Sequence, residues 1–128
     1  MPEWSFKDTF STPEQMRVVL RNMLNDVRAN LEVDEELWYD MKIILHELCC
    51  NAINHGKVPV QTMSAICSKD KKLHILVSDA GEGHNQLQKG PSGNDAEHGR
   101  GLHIVSNLAD ELMFNSSANK VLVMIDYR

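Results

Sequence analysis

From Leu37 to Ile53 the apolar residues fall into a single stripe. Leu37, Met41, Ile44, Leu45, Leu48, Ala52 and Ile53 recur at the period of an α-helix. A long helix that is apolar on one face must bury that face against a second layer, which already excludes an isolated helix or an all-β chain. Asp34 stands where an N-cap belongs. Gly56 follows the last turn as a C-terminal stop residue, with Pro59 just beyond.

The flanking sequence supplies the other layer. Residues 3–10 alternate, with Trp4, Phe6 and Asp8 on one side and Ser5, Lys7 and Thr9 on the other, which predicts a short edge strand. Ser11-Thr12-Pro13-Glu14 then opens a helix, with a hydroxyl to cap it and a proline tolerated in the first turn. Val18, Val19, Met23, Val27 and Leu31 continue that helix. Residues 58–67 and 72–79 read as strands joined by the charged turn Ser68-Lys69-Asp70-Lys71. Residues 80–100 form a long polar stretch holding five of the seven glycines, and a structureless loop of that length inside a small domain tends to be functional. A helix over 101–110 and strands over 111–116 and 120–127 complete the order β-α-α-β-β-loop-α-β-β. The fold class expected is α/β (α+β): a two-layer α/β sandwich whose mixed, mostly antiparallel sheet is covered on one face by three helices.

At 128 residues the chain is expected to be one domain, and 42% apolar with 24% charged residues is an ordinary globular mix. A formal charge of −5 argues against non-specific binding to nucleic acid or to an anionic membrane, both of which need a basic surface. Cys49 and Cys50 are adjacent and Cys67 stands apart, a poor disulfide framework that suggests reduced thiols. The start Met-Pro-Glu-Trp lacks the features of a signal peptide, and no apolar run approaches the length of a membrane span, so a cytoplasmic protein is expected.

Three segments carry residues suited to chemistry. In the long helix, Glu47 and Asn51 are four residues apart and share a face, with Asn54 one turn on. They run along the edge of the apolar stripe, where a partly desolvated carboxylate is suited to take a proton and an amide oxygen can hold a hard cation such as Mg²⁺. The plain alternative is a polar helix flank. A zinc-protease H-E-x-x-H is excluded because the second histidine position is Cys50. Next, Asp79-Ala80-Gly81-Glu82-Gly83 ends a strand with a fixed carboxylate and two glycines that allow close approach; the alternative is an ordinary glycine turn. A dinucleotide fingerprint fails because Gln86 occupies the third glycine position. Last, Gly99-Arg100-Gly101-Leu102-His103-Ile104-Val105 puts glycines before a helix start, where free N–H groups and the dipole suit a phosphate and Arg100 can add a charge-assisted contact. The alternative there is a loose entry to a core helix. No P-loop motif occurs.

In this order, E-x-x-x-N on a helix, D-x-G-x-G after a strand, and a glycine-bounded lid leading into G-x-G-L resemble the nucleotide-binding boxes of the GHKL superfamily, whose domain is the Bergerat fold. The runs Glu47 to Gly56 and Gly99 to Val105 are most similar to its small anti-sigma factor and serine-protein kinase branch, and the resemblance spans nearly the whole chain. It implies ATP and Mg²⁺ as cofactors, with Glu47 as general base, Asn51 ligating Mg²⁺ and Asn54 contacting the phosphate side. It further implies that Asp79 accepts from the adenine amino group and that Gly81 and Gly83 let a lid over about 80–100 fold. Gly99, Arg100, Gly101 and Leu102 would cradle the phosphates. The implied activity is γ-phosphoryl transfer to a Ser or Thr of an anti-sigma antagonist of the STAS type. A sigma factor would be the sequestered target and transcription the process regulated. Homodimers are common in that branch and would use the outer sheet edge or the first strand. Relatives usually carry a Gly-Thr pair near the last strand whose hydroxyl helps hold adenine. Here the region reads Ser116-Ser117-Ala118-Asn119-Lys120, and Ser117 or Asn119 would have to substitute.

Two other functions stay open on sequence. One is a non-catalytic, nucleotide-responsive partner-binding module. The other is a stand-alone ATPase domain of the histidine-kinase kind, acting on a separate protein because no phosphoacceptor hairpin precedes Trp4. His84 and His98 fall in the lid, His74 reads as structural, and the seven methionines read as gap-fillers. Trp4 and Phe6 suit either core packing or a dimer contact.

Overall fold

The structure, a computed structural model, describes residues 3–67, 69, 71–81, 88–89, 99–115 and 119–126. Its strands are β1 (Trp4–Phe10), β2 (Val60–Cys67), β3 (Lys72–Ser78), β4 (Gln88–Lys89), β5 (Glu111–Phe114) and β6 (Lys120–Asp126). Its helices are α1 (Pro13–Asn30), α2 (Glu35–His55) and α3 (Gly99–Leu108). The six strands lie in the order β1-β2-β3-β6-β5-β4, and each neighbouring pair is antiparallel.

Local chemistry sets the helix ends. The Thr12 hydroxyl accepts the Gln15 N–H at 3.1 Å, while the Gln15 side chain accepts the Ser11 N–H at 2.8 Å, so two otherwise orphaned donors are satisfied. Asp34 caps α2 by accepting the Leu37 N–H at 2.7 Å. The α1 stripe differs from expectation at two residues: Leu31 is the extended residue that follows the helix end at Asn30, and Val18 is off the buried face. Val18 is 45% exposed, and the buried face is built by Met16, Val19, Leu20, Met23, Leu24 and Val27. Val18 precedes Val19 by a 100° step, which carries it off the face that Val19, Met23 and Val27 share.

Strand alternation places the core. Val60, Thr62, Ser64 and Ile66 of β2, Leu73, Ile75 and Val77 of β3, and Val121, Val123 and Ile125 of β6 point toward the helices. Ile44, Leu45 and Leu48 of α2 close over them, each burial favourable by about 1.5–3 kcal/mol. α2 is the central helix, packed against α1 on one flank and α3 on the other. Trp4 belongs to this core, its indole N–H donating to Asp26 at 2.8 Å.

Several bounds differ from expectation, with β3 ending at Ser78 rather than residue 79 and α3 at Leu108 rather than residue 110. β2 begins at Val60 rather than at residue 58, because Pro59 has no N–H to give the ladder. α3 begins at Gly99, two residues before the expected start; glycine's poor helix propensity places the start late on sequence. Within the polar stretch, residues 88–89 pair with β5, Gln88 opposite Phe114 and Lys89 opposite Met113. A two-residue edge strand needs only backbone groups, so no side-chain pattern announces it. Among the described residues, no helix is long and apolar enough to cross a membrane.

Candidate functional site

The second half of α2 carries the first group of residues. Glu47 and Asn51 are half-buried and Asn54 is exposed, as expected for a row along the boundary of the apolar stripe. The helix stops at Gly56, whose N–H donates to the Ala52 carbonyl at 2.9 Å. The backbone there is extended, with φ −100°, so a left-handed stop is not the reason for glycine. The reason is steric. A Cβ on Gly56 would overlap the Asp79 carboxylate, 2.5 Å from its Cγ, and would stand 2.7 Å from the Ala52 carbonyl oxygen.

Asp79 is thus seated on the end of α2. Its Oδ1 accepts the Gly81 N–H at 2.6 Å, a local Asx-type turn that fixes the carboxylate plane. Its own N–H donates to the Asn119 carbonyl at 2.9 Å, and the Ala80 N–H donates to the Lys57 carbonyl at 2.7 Å. The turn is therefore tied to the start of β6 and to the segment leaving α2. At Gly81 an added Cβ would lie 2.8 Å from Asp79 Oδ1, so close approach requires glycine there too.

Asn119 completes this frame. Its side-chain amide donates to the Gly81 carbonyl at 2.7 Å, and its Oδ1 accepts from the Asn115 side chain. Asn115 is 1% exposed, and its Oδ1 accepts the Lys120 N–H at 3.3 Å. Of the two residues expected to replace the missing threonine hydroxyl, Asn119 bonds the Asp79–Gly81 turn, while Ser117 lies outside the described residues. Asn115 went unnoticed on sequence: a lone Asn after a strand carries no signal until the hairpin brings Asn119 to it.

The third segment forms the first turn of α3. The first intrahelical bond of an α-helix is donated by its fourth residue, here Leu102, so the backbones of Gly99, Arg100 and Gly101 present N–H groups without intrahelical partners. α3 packs on α2, with Val105 fully buried. Gly83, His84 and His98 lie outside the described residues.

The structure brings Asp79, Gly81 and Gly56 together at the C-terminal end of the helix that carries Glu47, Asn51 and Asn54. Glu47 lies nine residues back from Gly56, about 14 Å along the axis. A separate cavity of about 570 Å³ lies between α1 and α2; it takes in Glu47 and none of the Asp79 turn. The residue types suit a magnesium nucleotide: the Asp79 carboxylate held in one orientation can accept from an amino group, and the carboxylate and amide oxygens along α2 are of the kind hard cations favour. Among the described residues no group of three His, Cys, Asp or Glu is placed to hold a metal by itself.

Two thiols lie nearby, and their surroundings favour the protonated form. Burial pushes Cys49 up to about 12, with the adjacent Thr62 hydroxyl pulling slightly the other way. Cys50 is also raised, first by burial and then by the Glu47 carboxylate beside it.

No curated protein matches the chain closely enough to count as a relative. A sequence model of the histidine kinase-like ATPase domain matches residues 10–125, nearly the full length of the 128-residue chain. Domains of this family bind ATP, usually with Mg²⁺. With a two-layer sandwich, an E-x-x-x-N helix and a locked D-x-G turn at its end, the chain belongs to the histidine kinase-like ATPase domain family, in the GHKL superfamily of ATP-binding proteins.

Proposed function

We propose that this chain binds MgATP and transfers the γ-phosphoryl group to a serine or threonine of a partner protein, in the manner of the anti-sigma factor and serine-protein kinase branch. The observation that carries the reading is the Asp79 carboxylate, clamped between Gly56 and the Gly81 N–H at the end of α2. A carboxylate held in one orientation by its own backbone keeps its remaining lone pairs for a donor, and an exocyclic amine is such a donor. Adenine at this turn would leave the triphosphate to extend along α2 toward Asn51 and Glu47. Asn51 would hold Mg²⁺, Asn54 would contact the phosphate side, and the first-turn N–H groups of α3, with Arg100, would face the phosphate oxygens.

Bound MgATP supplies the transferable phosphoryl group and neutralises its charge. Glu47 would orient the acceptor hydroxyl and take its proton as the oxygen bonds to the γ-phosphorus and the bond to the ADP oxygen breaks. Positioning and charge neutralisation supply most of such catalysis. The partners belonging to this reading are a STAS-type antagonist as substrate and a sigma factor as sequestered target, with transcription as the regulated process.

The test is incubation of the protein with γ-labelled ATP, Mg²⁺ and a STAS-type antagonist bearing a candidate serine. Label on that serine, lost in Glu47→Ala, is the expected result. A chain that binds ATP yet labels no partner would be a binding module instead, and one that binds no ATP would remove the reading altogether.

A further inference from the structure

The cavity between α1 and α2 has a composition of its own. The link of residues 31–34 turns the chain back, so the helices run antiparallel, and their outward flanks enclose about 570 Å³. Met16, Leu20 and Leu24 from α1 and Trp38 from α2 form its apolar lining. Tyr39 and Ile43 stand at its mouth, 52% and 41% exposed, two large apolar side chains presented to solvent. The Trp38 ring is held rigid at one end: its N–H donates to the Leu24 carbonyl at 3.0 Å, and the Arg28 guanidinium lies 3.7 Å over its face.

The rim is cationic. Arg17, Arg21 and Lys42 line it, with Glu47 at the far end. Among the described residues neither Arg21 nor Lys42 reaches a carboxylate within ion-pair distance, and Arg17 makes only an exposed 3.8 Å contact with Glu14. In a chain of net charge −5, these cations are a local concentration against the overall sign.

We propose that this groove docks an amphipathic helix of a partner protein, apolar on one face and acidic along its edges. Charge complementarity selects the occupant. Carboxylates on the helix edges would meet Arg17, Arg21 and Lys42, while its apolar face would cover Leu20, Trp38 and Ile43. The walls run from Met16 to Asn25 on α1 and from Trp38 to Glu47 on α2, about 14 Å each, so they accommodate two to three helical turns. A second copy of this chain fits badly, because a two-fold contact through the groove would bring the same cationic rim of Arg17, Arg21 and Lys42 against itself. The groove is independent of what Asp79 binds, so this proposal does not rest on the nucleotide reading.

The test uses a synthetic three-turn helix with leucines at i, i+4 and i+7 and glutamates on both edges, and a twin with lysine for every glutamate. Trp38 fluorescence and titration calorimetry read binding, since Trp4, the other tryptophan, is buried in the core. The acidic helix is expected to saturate and to bind roughly tenfold or more tighter than the basic twin. Arg21→Glu combined with Lys42→Glu should invert that order, and Ile43→Asp, at an exposed position, should abolish binding. Equal binding of the two peptides overturns the proposal, as does no saturable binding of the acidic one up to roughly millimolar concentration. So does an unchanged order in the charge-reversed variant. A dimer in sedimentation equilibrium that Ile43→Asp dissociates would also overturn it, assigning the groove to a second copy.

Discussion

Asp79 joins the end of α2 to the Gly81 turn, and its surroundings state what a substitution must do. One carboxylate oxygen is committed to the Gly81 N–H at 2.6 Å. Asp79→Asn leaves a single acceptor, which that N–H claims, and turns the other atom into a donor facing a donor. ATP affinity should fall by about 1.5–3 kcal/mol, the range for hydrogen bonds to charged groups, with little change in unliganded stability. Titration calorimetry on wild type and variant checks it, and equal affinities would remove the adenine contact. Glu47→Ala belongs to a different class: it should abolish transfer and leave ATP binding largely intact, because a base acts only on the acceptor. Asn119→Ala takes the donor from the Gly81 carbonyl and one acceptor from the Asn115 amide, which is almost fully buried. It should cost about 1–3 kcal/mol of stability, read by urea denaturation, and weaken ATP through the turn it no longer holds. Sequence made Asp79 legible because a carboxylate before G-x-G at a strand end is a local pattern. Asn119 was legible only as a stand-in for a residue expected there, and Asn115 not at all, since its function exists only across the closed hairpin.

At the scale of elements, the caps were the most readable features. Thr12 and Asp34 accept the N–H three residues on, as short-range chemistry dictates. Gly56 was placed correctly for a reason that differs from the structural one. A sequence suggests a left-handed stop, whereas what requires glycine is a carboxylate arriving from β3, twenty-three positions later in the chain. Gly56→Ala should therefore destabilise the protein by about 1–3 kcal/mol, the range for forced overpacking, and displace the Asp79 turn. In a double-mutant cycle, Asp79→Ala should recover part of that loss. Strict additivity in chemical denaturation would show that the two residues do not meet. β4 was unreadable for the opposite reason, since two consecutive polar residues are too short a run to show a period. Cys49 gives α2 a pH signature. Its folded value lies above the ordinary thiol range, so the folded state holds the proton more tightly than the unfolded chain. The associated stability is intact below about pH 9 and is lost as pH rises toward about 12, with a slope of at most about 1.4 kcal/mol per pH unit. Thermal midpoints should fall across that window, and less steeply in Cys49→Ala.

For the whole molecule, the arrangement of layers decides how a ligand would couple to stability. The Asp79 turn is tied to β6 through Asn119 and to the chain leaving α2 through Lys57, and α2 in turn packs on α1, α3 and the sheet. A ligand spanning from that turn toward Glu47 would touch the central helix and the end of a central strand at once, and unfolding of either would release it. Anything that binds only the native state stabilises by mass action, about 2.7 kcal/mol at a hundred times its dissociation constant. For a domain of this size that corresponds to a rise of roughly 10 °C in the thermal midpoint. The expectation is a concentration-dependent rise with MgATP that survives Glu47→Ala, because the base acts after binding. The rise should shrink in Asp79→Asn and in Asn119→Ala, because both act on the adenine end. Scanning calorimetry across ATP concentrations, with and without Mg²⁺, measures all of it. A midpoint that stays flat in wild type at millimolar MgATP would mean that the helix, the turn and the α3 start share a fold without sharing a ligand.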